Sequence, residues 1–412
     1  MVPKNKQRGL KTGSRAVWGG EEPSIAGGPT QASIVQSVSF GYSDLDDWQA
    51  VALGQQSGHI YSRNTNPTVH VFEEKLRILE GAEAATSFGS GMAAVSNTIF
   101  ALVQPGDRII TVKDTYGGTN QLFREFLPRI NVDVCLCNTT DVDEIERQVR
   151  KGCRLLYLET PTNPTLKLID IERAARIGHG AGAIVVTDNT FATPINQRPL
   201  ELGSDLVLHS ASKFLGGHAD ALGGIVCGPK ALIKQIYHYR EITGAALDPF
   251  AAYLLLRGMK TLEIRVARQN ANAGEIAQFL ERQPEVERVY YPGLPSHPQH
   301  DIARKQMTGG FGGMISFVLH GGYSAVKAFL PRLQLAHRAA NLGSVETIVG
   351  PPATTSHVEV SAPDRAAMGI PEALVRYSTG IENVQDLVAD LEQALEVIRR
   401  PIHAQSVDGD PQ

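Results

Sequence analysis

Ala183-Ile184-Val185-Val186-Thr187-Asp188 and, further on, Asp205-Leu206-Val207-Leu208-His209-Ser210-Ala211-Ser212-Lys213 decide the fold of this 412-residue chain. Each is a short, nearly unbroken apolar run that ends in polar residues. Runs of that kind are strands buried on both faces, the pattern of a parallel sheet covered by helices. Arg108 to Val112 and Arg154 to Leu158 are two more, and helical stretches lie between them as far as about residue 227. The expected fold is therefore α/β, a mostly parallel central sheet with helices on both faces. Ligands of such sheets sit beyond the carboxyl ends of the strands. Glu159 after one run, Asp188 after another, and His209, Ser210 and Lys213 after a third are thus expected to converge on one sheet edge.

Upstream, a segment of about sixty residues rich in Gly, Ser and Gln reads as irregular chain that wraps over something else. Its polar end, Tyr61-Ser62-Arg63-Asn64-Thr65-Asn66-Pro67-Thr68, leads into Val69, Phe72, Leu76 and Leu79 at helical spacing. Pro67 suits the start of that helix and Gly81 its end. Downstream, helical sequence around residues 228 to 265 leads to a second unit. It holds the apolar run Gly313-Met314-Ile315-Ser316-Phe317-Val318-Leu319 and a last amphipathic helix near Val384 to Ile398. This predicts an arm over 1–65, a larger domain over 66–262 and a smaller C-terminal α+β domain over 263–412. The tail after Pro401 reads as disordered.

Composition narrows the function. With 42% apolar and 20% charged residues the chain has ample material for a core, and a formal net charge of -4 gives no reason to expect a nucleic-acid partner. No run approaches the roughly 18 apolar residues of a membrane span. The basic start from Lys4 to Arg15 lacks the apolar centre of a signal peptide and reads as a solvated arm. Cys135, Cys137, Cys153 and Cys227 have neither disulfide-framework nor zinc-site spacing, so no metal is expected. Three of them fall in strand-like runs as small core residues. A reducing, cytoplasmic setting follows as the default.

Lys213 carries the chemistry. It follows a buried strand and stands between hydroxyl residues and glycines, a desolvated place from which an amine attacks a carbonyl. Taken alone, a lysine is more often solvated. Phe88-Gly89-Ser90-Gly91-Met92-Ala93-Ala94 opens a helix with glycines, where backbone N–H groups and the helix dipole hold a phosphate. The same letters fit G-x-G-x-x-A, but Asp107 lies before its strand rather than at its end, so a nicotinamide-dependent oxidoreductase is the weaker reading. Asp188 ends a strand where a carboxylate needs a cationic partner, such as a protonated pyridine nitrogen; an N-cap or a bridge to an arginine is the plainer alternative. Arg376, in Val375-Arg376-Tyr377-Ser378-Thr379-Gly380, offers a bidentate fork for a carboxylate, although single arginines more often form surface ion pairs.

A phosphate nest, a strand-end Asp, a Schiff-base Lys and a carboxylate-binding Arg, in that order, suit a pyridoxal-phosphate enzyme acting on amino acids. Tyr61-Ser62-Arg63 with Asn66-Pro67-Thr68, Ser90-Gly91-Met92, Asp114-Thr115-Tyr116-Gly117-Gly118-Thr119, Glu159-Thr160-Pro161-Thr162-Asn163-Pro164, Asp188-Asn189-Thr190, Ser210-Ala211-Ser212-Lys213 and Arg376-Tyr377-Ser378-Thr379-Gly380 together resemble the Cys/Met-metabolism family of fold-type I enzymes. The likeness spans about residue 15 to residue 398. It implies pyridoxal 5'-phosphate bound through Lys213, which would also shuttle protons at Cα. Asp188 would keep the pyridine nitrogen protonated and Tyr116 would stack on the ring. Gly91, Met92, Ser210 and Ser212 would hold the phosphate from one subunit, and Tyr61 and Arg63 would reach it from the neighbour. The resemblance thus implies a homo-oligomer, a dimer at least and usually a tetramer. Asn163 would lie near the ring hydroxyl with Glu159 behind it, and Arg376, helped by Asn341, would fix the substrate α-carboxylate.

The family runs γ-replacement, γ-elimination and β-elimination with nearly the same groups. Relatives that use cystathionine carry a glutamate where Ala339-Ala340-Asn341-Leu342-Gly343 has Ala340. That run and Pro352-Ala353-Thr354-Thr355-Ser356-His357 are more similar to O-acetyl- or O-succinylhomoserine sulfhydrylases. Methionine γ-lyases usually show a cysteine where this chain has Gly118. Gly350-Pro351-Pro352 in place of His-Pro, and Ser212 in place of threonine, are departures that remove no needed group. The expected activity is γ-replacement on an O-acylhomoserine by a sulfur nucleophile, with a γ-lyase that releases 2-oxobutanoate and ammonia as the alternative.

Overall fold

Leu155, Tyr157 and Val186 face one side of the central sheet, and Leu156, Leu158 and Val185 face the other, all of them buried. Successive strand residues point to opposite faces, so a sheet covered on both sides requires the unbroken apolar runs seen in the sequence. The structure is a computed structural model that describes residues 9–21, 28–358 and 361–399. The chain before Gly9, with the first part of the basic start, and the tail after Pro401 lie outside the described residues.

The strands are β1 (Ala84–Phe88), β2 (Arg108–Val112), β3 (Asp133–Cys137), β4 (Leu155–Glu159), β5 (Ile184–Asp188), β6 (Leu206–Ser210) and β7 (Gly224–Gly228), in the order β1-β7-β6-β5-β4-β2-β3. The run from β6 to β3 is parallel; β7 is antiparallel to both its neighbours. Helices Gly91–Leu102 and Lys230–Thr243 cover one face through Val95, Ile99, Ile233 and Ile236. Helices Val142–Val149 and Ile171–Gly180 cover the other beside β4 and β5, and Pro67–Glu80 with Pro249–Met259 covers it beside β7. The expected sheet, with helices on both faces, is the one observed.

Local chemistry sets the helix ends. The Asn66 side chain accepts from the amides of Thr68 and Val69, Pro67 takes the first turn, and Gly81 closes the helix at φ 75°. Beyond β7 the second unit is built on β8 (Val286–Tyr290), β9 (Met314–Leu319), β10 (His337–Arg338), β11 (Ile348–Gly350) and β12 (Leu374–Ser378), in the order β10-β11-β12-β9-β8. Helix Leu262–Glu281 and the final helix Val384–Arg399 pack on it through Ile276, Leu280, Leu387 and Leu391, closing a second core around Phe317 and Phe329.

The N-terminal segment is less irregular than its composition predicts. Thr12–Trp18 is helical and packs against helix Pro67–Glu80, and Leu45–Ala52 is a helix whose N-cap, Asp44, accepts from the amides of Asp46 and Asp47. Leu45 and Trp48 on that helix, and Leu53 just after it, are nonetheless exposed. Among the described residues no helix is long and apolar enough to cross a membrane. All four cysteines are free thiols, with Cys135 and Cys137 in β3 and Cys227 in β7.

Candidate active site

Parallel register brings the strand ends together. Glu159 at the end of β4 pairs with Asp188 at the end of β5, and Asp188 pairs with Leu208, two residues before Ser210 ends β6. Beyond these ends lies a cleft of about 660 Å³ lined by Gly91, Met92, Tyr116, Glu159, Asn163, Asp188, Ser210, Ser212, Lys213 and Arg376. Chain order thus becomes one site through the sheet topology.

Lys213 Nζ donates to Asn341 Oδ1 at 2.6 Å. Burial, together with the positive charge of Arg376, pushes its ammonium down to about 8. Near neutral pH a useful fraction of the amine is therefore unprotonated. Arg376 enters from β12: Nη1 donates to Asn163 Oδ1 at 3.0 Å and Nη2 to the Asn341 carbonyl at 3.2 Å. Burial lowers its guanidinium to about 10, so it stays charged. The carbonyl and amide contacts hold that fork without neutralising it, which leaves the charge for a ligand carboxylate.

Burial raises the carboxyls of both Asp188 and Glu159. Glu159 Oε2 accepts from the Tyr116 amide at 2.8 Å and so fixes the turn that carries the Tyr116 ring at the cleft. Asp188 Oδ1 accepts from the Thr190 amide at 2.9 Å, and Tyr157 Oη donates to Oδ2 at 3.4 Å. Thr190 Oγ1 in turn accepts from the Ser210 amide at 2.9 Å, tying β5 to β6. The sequence reading quoted Thr190 within Asp188-Asn189-Thr190 but gave it no role, although an Asp followed two residues later by a backbone donor is the signature of an Asx turn.

Arg265 also escaped it. Its buried guanidinium donates to the carbonyls of Phe214 at 2.9 Å, Leu215 at 3.2 Å and Gly258 at 2.9 Å, so it clamps the chain just after Lys213. Nothing in a lone helical arginine announces such a clamp.

At the other end of the cleft, Ser90 caps helix Gly91–Leu102 by accepting from the Ala93 amide. A Cβ on Gly91 would lie 2.7 Å from Cβ and Oγ of Ser210, so glycine is what lets the helix start approach β6. Not every predicted residue meets here. Alternation along β6 turns His209 to the opposite face, where it is fully buried against Glu80 at 2.6 Å, so the expectation that it joins the sheet edge is corrected. Tyr61 and Arg63 are also outside the Lys213 cleft. The Arg63 guanidinium stacks 5.1 Å over the Tyr61 ring and lines a separate cleft of about 790 Å³.

Residues 14–396 match the model of the Cys/Met metabolism PLP-dependent enzyme family. The chain belongs to that family. It is 43% identical to an L-methionine gamma-lyase of Fusobacterium nucleatum over 89% of this chain and 93% of the relative. It is 39% identical to an O-succinylhomoserine sulfhydrylase of Pseudomonas aeruginosa over 88% of this chain and 90% of the relative. The crystal structure of a cystathionine gamma synthase from Xanthomonas oryzae pv. oryzae superposes with a TM-score of 0.90 at 35% identity, covering 95% of this chain and 99% of the other. The fold is thus that of fold-type I PLP enzymes.

The cleft of this family member fits its cofactor. The Gly91 cradle, a helix N-terminus and the hydroxyls of Ser210 and Ser212 line the cleft as donors that suit a phosphate. A buried Asp188, whose ionised form is costly unless compensated, suits a protonated pyridine nitrogen.

Proposed function

We propose that this family member is a γ-replacement enzyme that displaces the acyl group of an O-acylhomoserine with a sulfur nucleophile, in sulfur amino-acid metabolism. The supporting observation is the cleft wall beside Lys213 and Tyr116. Ala340 and Gly118 stand there without a functional side chain, where relatives that use cystathionine carry a glutamate and methionine γ-lyases a cysteine. In the reaction the Cγ–O bond breaks, the carboxylate leaves, and a Cγ–S bond forms as the thiol gives up its proton.

Bound pyridoxal 5'-phosphate supplies an electron sink for the charge left when protons leave Cα and Cβ. In this reading Arg376 and Asn341 bind the α-carboxylate, as a guanidinium held by neutral groups alone allows. The Lys213 amine removes and returns the protons, a task suited to a base drawn down to about 8. Asp188 would partner the ring nitrogen, Tyr116 would stack on the ring and Asn163 would stand near the ring hydroxyl, while Glu159 holds the Tyr116 turn. Gly91, Met92, Ser210 and Ser212 take the phosphate. Tyr61 and Arg63 serve a neighbouring subunit's cleft, with Tyr61 close to the reaction, so the assembly is a homo-oligomer, a dimer of dimers. The exposed apolar side chains of helix Leu45–Ala52 on the same arm support that assignment.

The second reading is a γ-lyase, favoured by the 43% identity to a methionine gamma-lyase. Purified enzyme given O-acetyl- or O-succinylhomoserine, with and without sulfide or cysteine, separates the two. Replacement predicts a thiol-dependent thioether or homocysteine product. Only 2-oxobutanoate and ammonia, indifferent to thiol, would make the enzyme a lyase.

A further inference from the structure

On the face of the sheet away from the cleft, a chain of buried polar side chains runs directly behind Asp188. His209 Nε2 and Glu80 Oε1 share a hydrogen bond of 2.6 Å, and Asn189 Nδ2 donates to the same carboxylate oxygen at 3.2 Å. The Asn189 Oδ1 accepts from Gln197 Nε2 at 3.0 Å, and its Nδ2 also donates to the Gln197 carbonyl at 2.8 Å. Glu80, His209 and Asn189 are each 0% exposed. A carboxylate so enclosed is costly without a cation, and the imidazole is the partner in contact with it. Among the described residues Glu80 Oε2 and His209 Nδ1 have no hydrogen-bond partner, so the contact between Glu80 Oε1 and His209 Nε2 is the bond that fixes the imidazole.

Geometry links this unit to the cleft. Asn189 follows Asp188 in the chain, and its amide donates to the Leu208 carbonyl at 2.9 Å, so its locked side chain fixes where β5 ends. His209 follows Leu208, the register partner of Asp188. Burial raises the Asp188 carboxyl, and the hydrogen bonds from Thr190 and the neighbouring His209 draw it part of the way back. The other titratable groups around the unit are Tyr157, which bonds Asp188, and the Cys227 thiol of β7, raised by burial and by the charge of Glu80.

We infer that Glu80, His209 and Asn189 form a buried positioning unit that fixes the ends of β5 and β6 and so aims the Asp188 carboxylate into the cleft. The inference rests on the reading of Asp188 as the partner of the cofactor ring nitrogen. None of the three residues lines the cleft; they act through Asp188.

The test uses holoenzyme carrying Glu80→Gln, His209→Gln or Asn189→Ala beside Asp188→Asn. The readouts are the pH midpoint of the visible cofactor band and the cofactor dissociation constant, with circular dichroism reporting the fold. Glu80→Gln and His209→Gln are expected to move the midpoint by about one pH unit in the direction Asp188→Asn moves it, and to weaken cofactor binding roughly tenfold. They should also lower kcat more than they change KM. Folded variants with the wild-type midpoint and dissociation constant, while Asp188→Asn shifts both, overturn the inference alone. An unshifted Asp188→Asn overturns the reading of Asp188 and the inference with it. Should the two charge variants fail to fold, Asn189→Ala decides by the same readouts: a shift supports the unit and wild-type values reject it.

Discussion

Two side chains of opposite design meet at Asn341. Its side-chain oxygen takes the Lys213 amine and its carbonyl takes the Arg376 fork, so one residue orients the amine and the guanidinium together. Replacing Arg376 by Ala removes one charge-assisted contact to the substrate, worth about 1.5 to 3 kcal/mol. Amino-acid binding should weaken roughly ten- to a hundredfold, read as KM with the visible band intact; an unchanged KM would assign the carboxylate to another group. Lys213 carries a second expectation. With its amine drawn down to about 8 by burial, the neutral form grows as pH rises through that value. Capture of added pyridoxal 5'-phosphate by cofactor-stripped enzyme should therefore accelerate with a midpoint near about 8. A midpoint close to 10.5, the ordinary lysine value, would show that the cleft does not desolvate the amine. Both residues were legible because each is an expensive charge next to an apolar run. His209 was misread for the opposite reason: it shares the run with Ser210, and only strand alternation, invisible where both faces are buried, sends it to Glu80.

The same contrast holds for elements. Strands β2, β4, β5 and β6 could be read from their apolar runs because a sheet covered on both faces leaves no polar interruptions. The helix after Asn66-Pro67 was readable because a cap, a first-turn proline and a closing glycine coincide. Leu45–Ala52 was missed because its start is an Asp-rich stretch that reads as loop, although Asp44 caps it through two amides. The turn at Gly91 shows what an element start must satisfy. Gly91→Ala would drive a Cβ to 2.7 Å from the Ser210 side chain, so helix start and β6 must part. An overpacked contact of that kind costs about 1 to 3 kcal/mol. The variant should fold, with helical content unchanged by circular dichroism, yet bind pyridoxal 5'-phosphate at least roughly tenfold more weakly by equilibrium dialysis. Wild-type affinity would place the phosphate elsewhere.

At the scale of the molecule, the two sheets and their cores followed from where apolar runs cluster. The crossing of β12 to bring Arg376 to the strand ends of the first sheet did not, because no local pattern encodes how two units face each other. The second unit also stores an acid sensitivity. Burial lowers the imidazole of His297 to about 4 and, with the charges of Arg376 and Arg365, that of His357 to about 4. In the unfolded chain a histidine titrates near 6.5. Between those values the unfolded chain binds protons that the folded chain refuses, so stability falls as pH drops from about 6.5 towards 4 and is level above. Each group contributes up to roughly 3 kcal/mol across that window. Carboxylates such as Glu285, lowered by its bond to Arg399, add to the fall at the acid end. The histidine share is therefore isolated by comparing variants. Urea unfolding midpoints of His297→Gln, measured from pH 4 to 7, should depend on pH less steeply than wild type by about one proton, whatever stability the substitution costs at pH 7. Parallel profiles would mean that His297 binds protons alike in the folded and unfolded chain, so that burial does not hold its imidazole down.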